Sequence, residues 1–307
     1  MKISTSLYFN KATTQLGNVQ GELSKTQEQL SLGKQIVKPS DAPDKAALVT
    51  RLESELSRQT GYQDTLKAVN IRLTAEETAL KNTSDVMYRI KELAVQAGND
   101  TLSPQDRQSV ALELSNLKDQ VLSLANSQDT NGNYLFAGSR TGVPAFSKDA
   151  SGRVLYQGDQ ARMKVNVGDS RRMNLNMPGS DAFTRVVRDD GKGGKVGVDF
   201  FQSLDDLANA VSSGDMTKVQ RGIAEVDGLQ NGISNGLAQV GSDLSVVDLQ
   251  TSVLDEVVLR LKTTQSDVED LDYTSAITKM NKDQLALEAA QSSFSKISQM
   301  SLFKFIN

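Results

Sequence analysis

The two ends of this chain carry matching heptad seams, although more than 200 residues separate them. Near the N-terminus, Leu16, Val19, Leu23, Thr26 and Leu30 recur in alternating steps of three and four. Near the C-terminus, Ile277, Met280, Gln284, Leu287, Gln291 and Phe294 do the same. A stripe that narrow buries little alone and requires a facing helix. The spacing therefore predicts two terminal helices that something else must complete, and copies of the same chain are one such partner.

Composition narrows the chemistry. Aromatic residues make up 5% of 307, there is no Trp, and the mean hydropathy is −0.38. That is lean for a thick globular core and suits helical layers. A formal charge of −4 and a pI near 5.1 argue against a nucleic-acid binder, which would normally show a basic stripe. No apolar run reaches the roughly 20 residues that span a bilayer, so no membrane partner is expected. The opening Met1-Lys-Ile-Ser-Thr-Ser lacks an apolar core, and no cleaved signal peptide is expected. With no Cys there are neither disulfides nor thiolates, and with no His the commonest general base and metal ligand is missing. No catalytic constellation, cofactor site or metal site emerges, and the chain is not expected to be an enzyme.

The first seam ends at Ser31-Leu-Gly33-Lys34, followed by Pro39-Ser-Asp41-Ala-Pro43-Asp44. Prolines four apart cannot lie within a helix. They mark a hinge, with Asp41 as an expected cap for the next helix. Leu66, Val69, Leu73, Glu76, Leu80, Thr83, Met87, Ile90, Ala94 and Ala97 then hold one frame over about 48 Å of helix. Gly98-Asn-Asp ends it. Ser103-Pro104-Gln105-Asp106 reads as N-cap, Pro at N1 and an acidic N3, opening a helix through Val110, Leu114, Leu117, Val121 and Leu124.

From about residue 133 to 199 the pattern alternates. Met163, Val165 and Val167 share one face, as do Met173, Leu175 and Met177, with turns at Gly158-Asp159 and Gly168-Asp169. This predicts a small antiparallel β unit, and Asp189-Asp-Gly-Lys-Gly-Gly194 is a loop. The stretch Asp129-Thr-Asn-Gly-Asn133 lacks the third ligand position and closing Glu of a calcium loop, so it reads as a turn. A second long frame, Val219 through Val268, never misses its 3/4 spacing and would reach about 75 Å. Gly222, Gly228, Gly232, Gly236 and Gly241 crowd its first half, which requires either a turn or close packing. The frame slips at Glu269-Asp270-Leu271-Asp272-Tyr273, an acidic run expected to be a solvated hinge facing the one at Pro39–Pro43.

The layout nests. Residues 1–40 and 272–307 form a terminal coiled-coil layer, 41–132 and 200–271 a helical bundle domain, and 133–199 a small β domain. The expected fold class is mainly α with a small antiparallel β insert, elongated and layered.

These segments also carry a family resemblance over nearly the whole chain. Met1-Lys-Ile-Ser-Thr-Ser6, Gln29-Leu-Ser-Leu-Gly-Lys34, Pro39-Ser-Asp-Ala-Pro43 and Lys91-Glu-Leu-Ala-Val-Gln-Ala-Gly-Asn99 with Leu102-Ser-Pro-Gln-Asp-Arg107 resemble the flagellin superfamily. Gly132-Asn-Tyr-Leu-Phe-Ala-Gly138, Leu155-Tyr-Gln-Gly-Asp159 and the ending Ser301-Leu-Phe-Lys-Phe-Ile306 are closer to its hook–filament junction branch. Gln35 stands where Arg is common, Ala42 replaces the second Asp of Ser-Asp-Asp-Pro, and Leu32 takes the place of a small hydroxyl residue. The resemblance implies a structural subunit of the bacterial flagellum, exported without a cleaved signal through the flagellar type III pathway and lying outside the cell. It would form an adaptor ring joining hook to filament, with copies of itself, hook-associated protein 1, flagellin and an export chaperone as partners.

On that reading the assembly interface comprises Ile3, Leu7, Leu16, Val19, Leu23 and Leu30 near one end. At the other end lie Ile277, Met280, Leu287, Phe294, Leu302, Phe303, Phe305 and Ile306. Pro39, Asp41, Pro43, Asp270 and Asp272 form the hinge. An intramolecular pair is the plain alternative for the seams, but polar Thr26, Gln284 and Gln291 make such a pair marginal without further partners. A short flagellin is the rival function, and a chemoreceptor-type helical scaffold is disfavoured by the β insert and the missing membrane segment.

Overall fold

The computed structural model describes the backbone of residues 2–99, 102–189 and 194–306, and the side chains of these except 2–6, 8 and 297–306. Among the described residues the helices are α1 (Lys2–Leu32), α2 (Pro43–Ala97), α3 (Pro104–Ala125), α4 (Gly179–Ala182), α5 (Phe200–Ser213), α6 (Met216–Glu269) and α7 (Tyr273–Ile306). Strands β1 (Phe146–Lys148), β2 (Val154–Tyr156), β3 (Lys164–Asn166), β4 (Arg172–Asn174), β5 (Val186–Asp189) and β6 (Lys195–Val198) lie between α3 and α5. The fold is mainly α with a small antiparallel β insert, as the sequence predicted. Two compact units emerge, Met1–Thr60 with Glu256–Asn307, and Gly61–Asp255, and the division falls within α2 and α6.

Within Gly61–Asp255, the long frame of α2 is the buried face. Leu66, Val69, Leu73, Leu80, Met87, Ile90, Ala94 and Ala97 are all core residues. Helix α6 answers with Val219, Val226, Leu229, Ile233, Val240, Val247 and Leu254. It runs unbroken through its five glycines, so the close-packing alternative holds. A Cβ on Gly222 would come within 2.7 Å of Leu207 Cδ1, one on Gly232 within 2.4 Å of Thr184 Oγ1, and one on Gly236 within 2.9 Å of Ala182 Cβ. The helix gives up propensity at these points to let α5 and the segment around α4 approach its backbone.

Helix α3 starts as its sequence dictates: Asp106 N donates to Ser103 Oγ (3.2 Å) and Ser103 N donates back to the Asp106 carboxylate (3.3 Å). Helix α5 is an element that the sequence periodicity does not set apart. It presents Phe200, Phe201, Leu204, Leu207 and Val211 to the core and ends at Gly214, whose φ of 74° is a left-handed C-cap. That terminal Gly, after an apolar stripe, was the available signal.

The β insert consists of three two-stranded antiparallel ladders, β1–β2, β3–β4 and β5–β6. In the second, Val165 pairs with Met173 across the turn at Gly168-Asp169. Residues 190–193 of the expected Asp189–Gly194 loop lie outside the described residues. Ladders this short are not stable alone, and their buried side chains join the helical core. Phe146 of β1 packs at 5.2 Å between ring centroids against both Phe183 and Phe201.

Buried polar groups tie the insert to the helices. Arg188 of β5 forms a two-pronged pair with Glu225 of α6 (both N–O distances 2.8 Å) and reaches Asp206 of α5 at 2.6 Å. The Asp129 carboxylate accepts from the amides of Asn131 and Asn133 and from Arg72 of α2. Its own chain fills the turn, as the turn reading requires.

Candidate assembly interface

Within Met1–Thr60 and Glu256–Asn307, α1 and α7 pack against each other as an antiparallel pair. The Phe9 and Phe294 rings pack at a tilt of 46° with centroids 4.8 Å apart, and Lys279 donates to Glu22 at 2.7 Å. Leu16, Val19 and Leu30 are half-buried, and Leu23 and Thr26 are buried, so the α1 seam lies where its spacing placed it. Thr26 satisfies its hydroxyl by donating to Glu22 O (3.0 Å) within the helix.

The α7 seam needs a correction. Met280, Leu287 and Phe294 are half-buried, but Ile277 is 45% exposed, and Gln284 and Gln291 face solvent. Alternating with the three shared positions, the inward residues are Ala276, Asp283 and Ala290, each one residue earlier than expected. Two heptad frames one residue apart overlap at every other position. Ile277 looked like the better knob by size, but the chain geometry at the start of α7 fixes the phase. Ile277 thus sits on the outer flank, as does Leu285, which is 68% exposed. Leu7 is 68% exposed on α1. Ile3, Leu302, Phe303, Phe305 and Ile306 belong to α1 and α7, but their side chains lie outside the described residues.

What fixes the phase is the joint where both helices begin and end. Helix α1 stops at Gly33, in the left-handed region at φ 69°, where a Cβ would meet the Tyr273 hydroxyl at 2.8 Å. Gln35 N then donates to Glu269 O (2.7 Å) and Leu271 N donates to Gly33 O (3.0 Å). These make an isolated antiparallel bridge between Lys34 and Asp270. Lys34 also pairs with Glu269, which is buried, so the acidic run is not the uniformly solvated face expected of it. Asp270 accepts from Ser266, and Asp272 caps α7 by accepting from Thr274 N (3.0 Å) and Ser275 N (3.3 Å). Bonding to Ser275 holds the Asp272 carboxyl below its usual range.

Pro39 opens a short 3-10 turn, Pro39–Asp41, and Pro43 is the first residue of α2. Asp41 does not cap α2. Its carboxylate turns back to accept from Lys38 N (3.2 Å) and to pair with Lys25 of α1 at 2.9 Å, because the 3-10 turn aims it away from the following helix. The pairing with Lys25 lowers the Asp41 carboxyl. Arrangement and chemistry are those of a structural joint. No group of three or more potential metal ligands occurs among the described residues, and no helix of theirs is long and apolar enough to cross a membrane.

The terminal pair is antiparallel, joined by the bridge between Lys34 and Asp270, and leaves Leu7, Ile277 and Leu285 exposed. Residues 3–141 match the bacterial flagellin N-terminal helical region and residues 223–306 the bacterial flagellin C-terminal helical region. The chain belongs to the bacterial flagellin family. Within it, the chain is 29% identical to flagellar hook-associated protein 3 of Salmonella typhimurium over 99% of both chains, and equally to that of Escherichia coli. It is 24% identical to a flagellin of Listeria monocytogenes, over 97% of this chain and 96% of the other. Among solved structures it resembles Xanthomonas campestris FlgL at 25% identity and a TM-score of 0.62, covering 71% of this chain and 99% of that one.

Proposed function

We infer that this chain is a structural subunit of the bacterial flagellum that joins hook to filament and assembles through its N- and C-terminal helices. The observation that carries the reading is the similarity to hook-associated protein 3 across 99% of both chains. The terminal pair supports it, since Leu7, Ile277 and Leu285 stay exposed on a narrow two-helix unit that isolated helices would not sustain well. Its partners on this reading are further copies of itself in a ring, hook-associated protein 1, flagellin and an export chaperone. Export would use the flagellum's own pathway without a cleaved signal.

The filament-forming alternative has the Listeria flagellin similarity behind it, at lower identity. Immunogold labelling separates the two. The junction reading expects one band just beyond the hook, and label spread along the filament overturns it.

A further inference from the structure

The β insert is basic in an acidic chain. Residues 133–199 hold eleven Lys and Arg against seven Asp and no Glu, a surplus of four positive charges where the whole chain carries −4. Several of these cations are neutralised locally: Lys148 pairs with Asp119 at 3.0 Å, Arg162 with Asp181 at 2.6 Å and Arg185 with Asp199 at 2.6 Å. Arg140, Lys164, Arg171, Arg172 and Lys195 have no ion pair among the described residues. Three of these five belong to the β3–β4 hairpin.

That hairpin sets two of them on one face. Val165 and Met173 pair on the side that meets the core, so Lys164, Asn166, Arg172 and Asn174 share the opposite side. Lys164, Asn166 and Arg172 are exposed. Lys164 and Arg172 are diagonal neighbours, with Cα atoms roughly 7–8 Å apart. Arg172 Nε donates to Asn166 Oδ1 at 3.1 Å, which fixes one edge of the guanidinium and leaves its two terminal nitrogens unpaired. A guanidinium held in this way presents its remaining fork to a planar carboxylate. Asp169, the one acid of residues 162–174, lies in the turn and accepts from the Tyr62 hydroxyl at 3.2 Å.

We propose that the outward face of the β3–β4 hairpin binds an acidic polysaccharide. Arg172 takes one uronate carboxylate, Lys164 takes another, and Asn166 Nδ2 donates to a sugar hydroxyl. The make-up of the face selects this class of ligand. It carries cations and amides and no apolar side chain, whereas protein interfaces rest on aromatic and apolar anchors and are poor in Lys. Single-stranded nucleic acid stacks on aromatic platforms, and this face has none. A polymer of hydroxyls and carboxylates needs neither. The inference goes beyond the junction reading and does not depend on it.

Titration of the full-length chain with polygalacturonate oligomers tests the proposal, with dextran, poly-glutamate and single-stranded DNA of matched length alongside. The wild type should bind polygalacturonate, more weakly as salt rises from about 20 to about 200 mM, and should ignore dextran. Lys164→Gln combined with Arg172→Gln should weaken binding roughly tenfold. Arg172→Lys keeps the charge but loses the fork, and should weaken it about threefold. Lys164 makes no hydrogen bond or ion pair among the described residues, so Lys164→Gln alone tests the face without disturbing the fold and should also weaken binding. Lys282→Gln, on α7, should leave it unchanged.

No binding of polygalacturonate, equal binding of dextran, or binding that the double variant leaves intact overturns the proposal. Tighter binding of poly-glutamate assigns the face to an acidic protein, a second copy of this chain included, and overturns the polysaccharide. Tighter binding of DNA overturns it equally. Failure of the junction reading would show separately, as misplaced immunogold label on the wild-type protein.

Discussion

Lys34 and Asp270 face each other in an antiparallel bridge that joins the end of α1 to the end of α6, 236 positions apart in the chain. Both helix breaks therefore occur at one point, and α1 and α7 leave it side by side.

Gly33 is the most constrained residue of this joint, combining a φ of 69° with a Tyr273 hydroxyl 2.8 Å from any Cβ. Gly33→Ala should destabilise the joint by about 1–2 kcal/mol. The check is faster amide exchange at Gln35 and Leu271, whose N–H groups bond across it, with the Gly61–Asp255 core unaffected.

The α6 glycines divide by what surrounds them. Nothing lies within 4 Å of a Cβ at Gly241, so Gly241→Ala should stabilise by about 0.5–1 kcal/mol through helix propensity. At Gly232 the same change meets Thr184 Oγ1 at 2.4 Å and the Ala182 carbonyl at 2.9 Å, and should cost about 1–3 kcal/mol. Denaturant unfolding of the two variants should shift in opposite directions.

Glu76 gives the Gly61–Asp255 unit a pH dependence. Burial pushes its carboxyl up to about 8, against the opposing pull of Arg72, 3.6 Å away. Neither carboxylate oxygen has a hydrogen-bond partner of normal geometry. Between the ordinary carboxylate value of 4.5 and about 8, the folded chain keeps a proton that the unfolded chain has lost. The unit should therefore lose stability as pH rises through that window, by up to about 1.4 kcal/mol per pH unit. Glu76→Gln should flatten the slope in thermal melts at pH 5 to 8, and an unchanged slope would refute this role.

Arg188 and Glu225 form a desolvated pair, and removing one partner strands the other. Arg188→Ala should cost about 3–5 kcal/mol and loosen the β5–β6 ladder first. A shift below 1 kcal/mol in urea unfolding would show that water or Arg221 compensates.

Deleting residues 302–307 should leave the melt of the Gly61–Asp255 unit unchanged while abolishing incorporation into flagella. Truncated protein that still supports filaments would exclude those residues from the interface.

Much of this molecule was legible in its sequence. The frames of α2 and α6 hold because a 3.6-residue period needs no knowledge of what faces it, and Ser103-Pro-Gln-Asp106 holds because a capping box is local. The family showed in motif order. By contrast, α5 was hidden because fourteen residues beside a β region give a short periodic signal. The inward phase of α7 was hidden because Ala276 and Ile277 both continue a heptad. The roles of Asp41 and Glu269 are not visible locally because their partners, Lys25 and Lys34, come from other elements.

The sequence by itself determined which segments are helical and where they break, because periodicity, proline and capping act within a few residues. Only the tertiary structure decided which face of α7 meets α1, that the two breaks bridge at Lys34 and Asp270, and that Lys279 of α7 reaches Glu22 of α1. Those outcomes depend on contacts between residues more than 200 positions apart, where the identity of each residue constrains its neighbour only after the chain has brought them together.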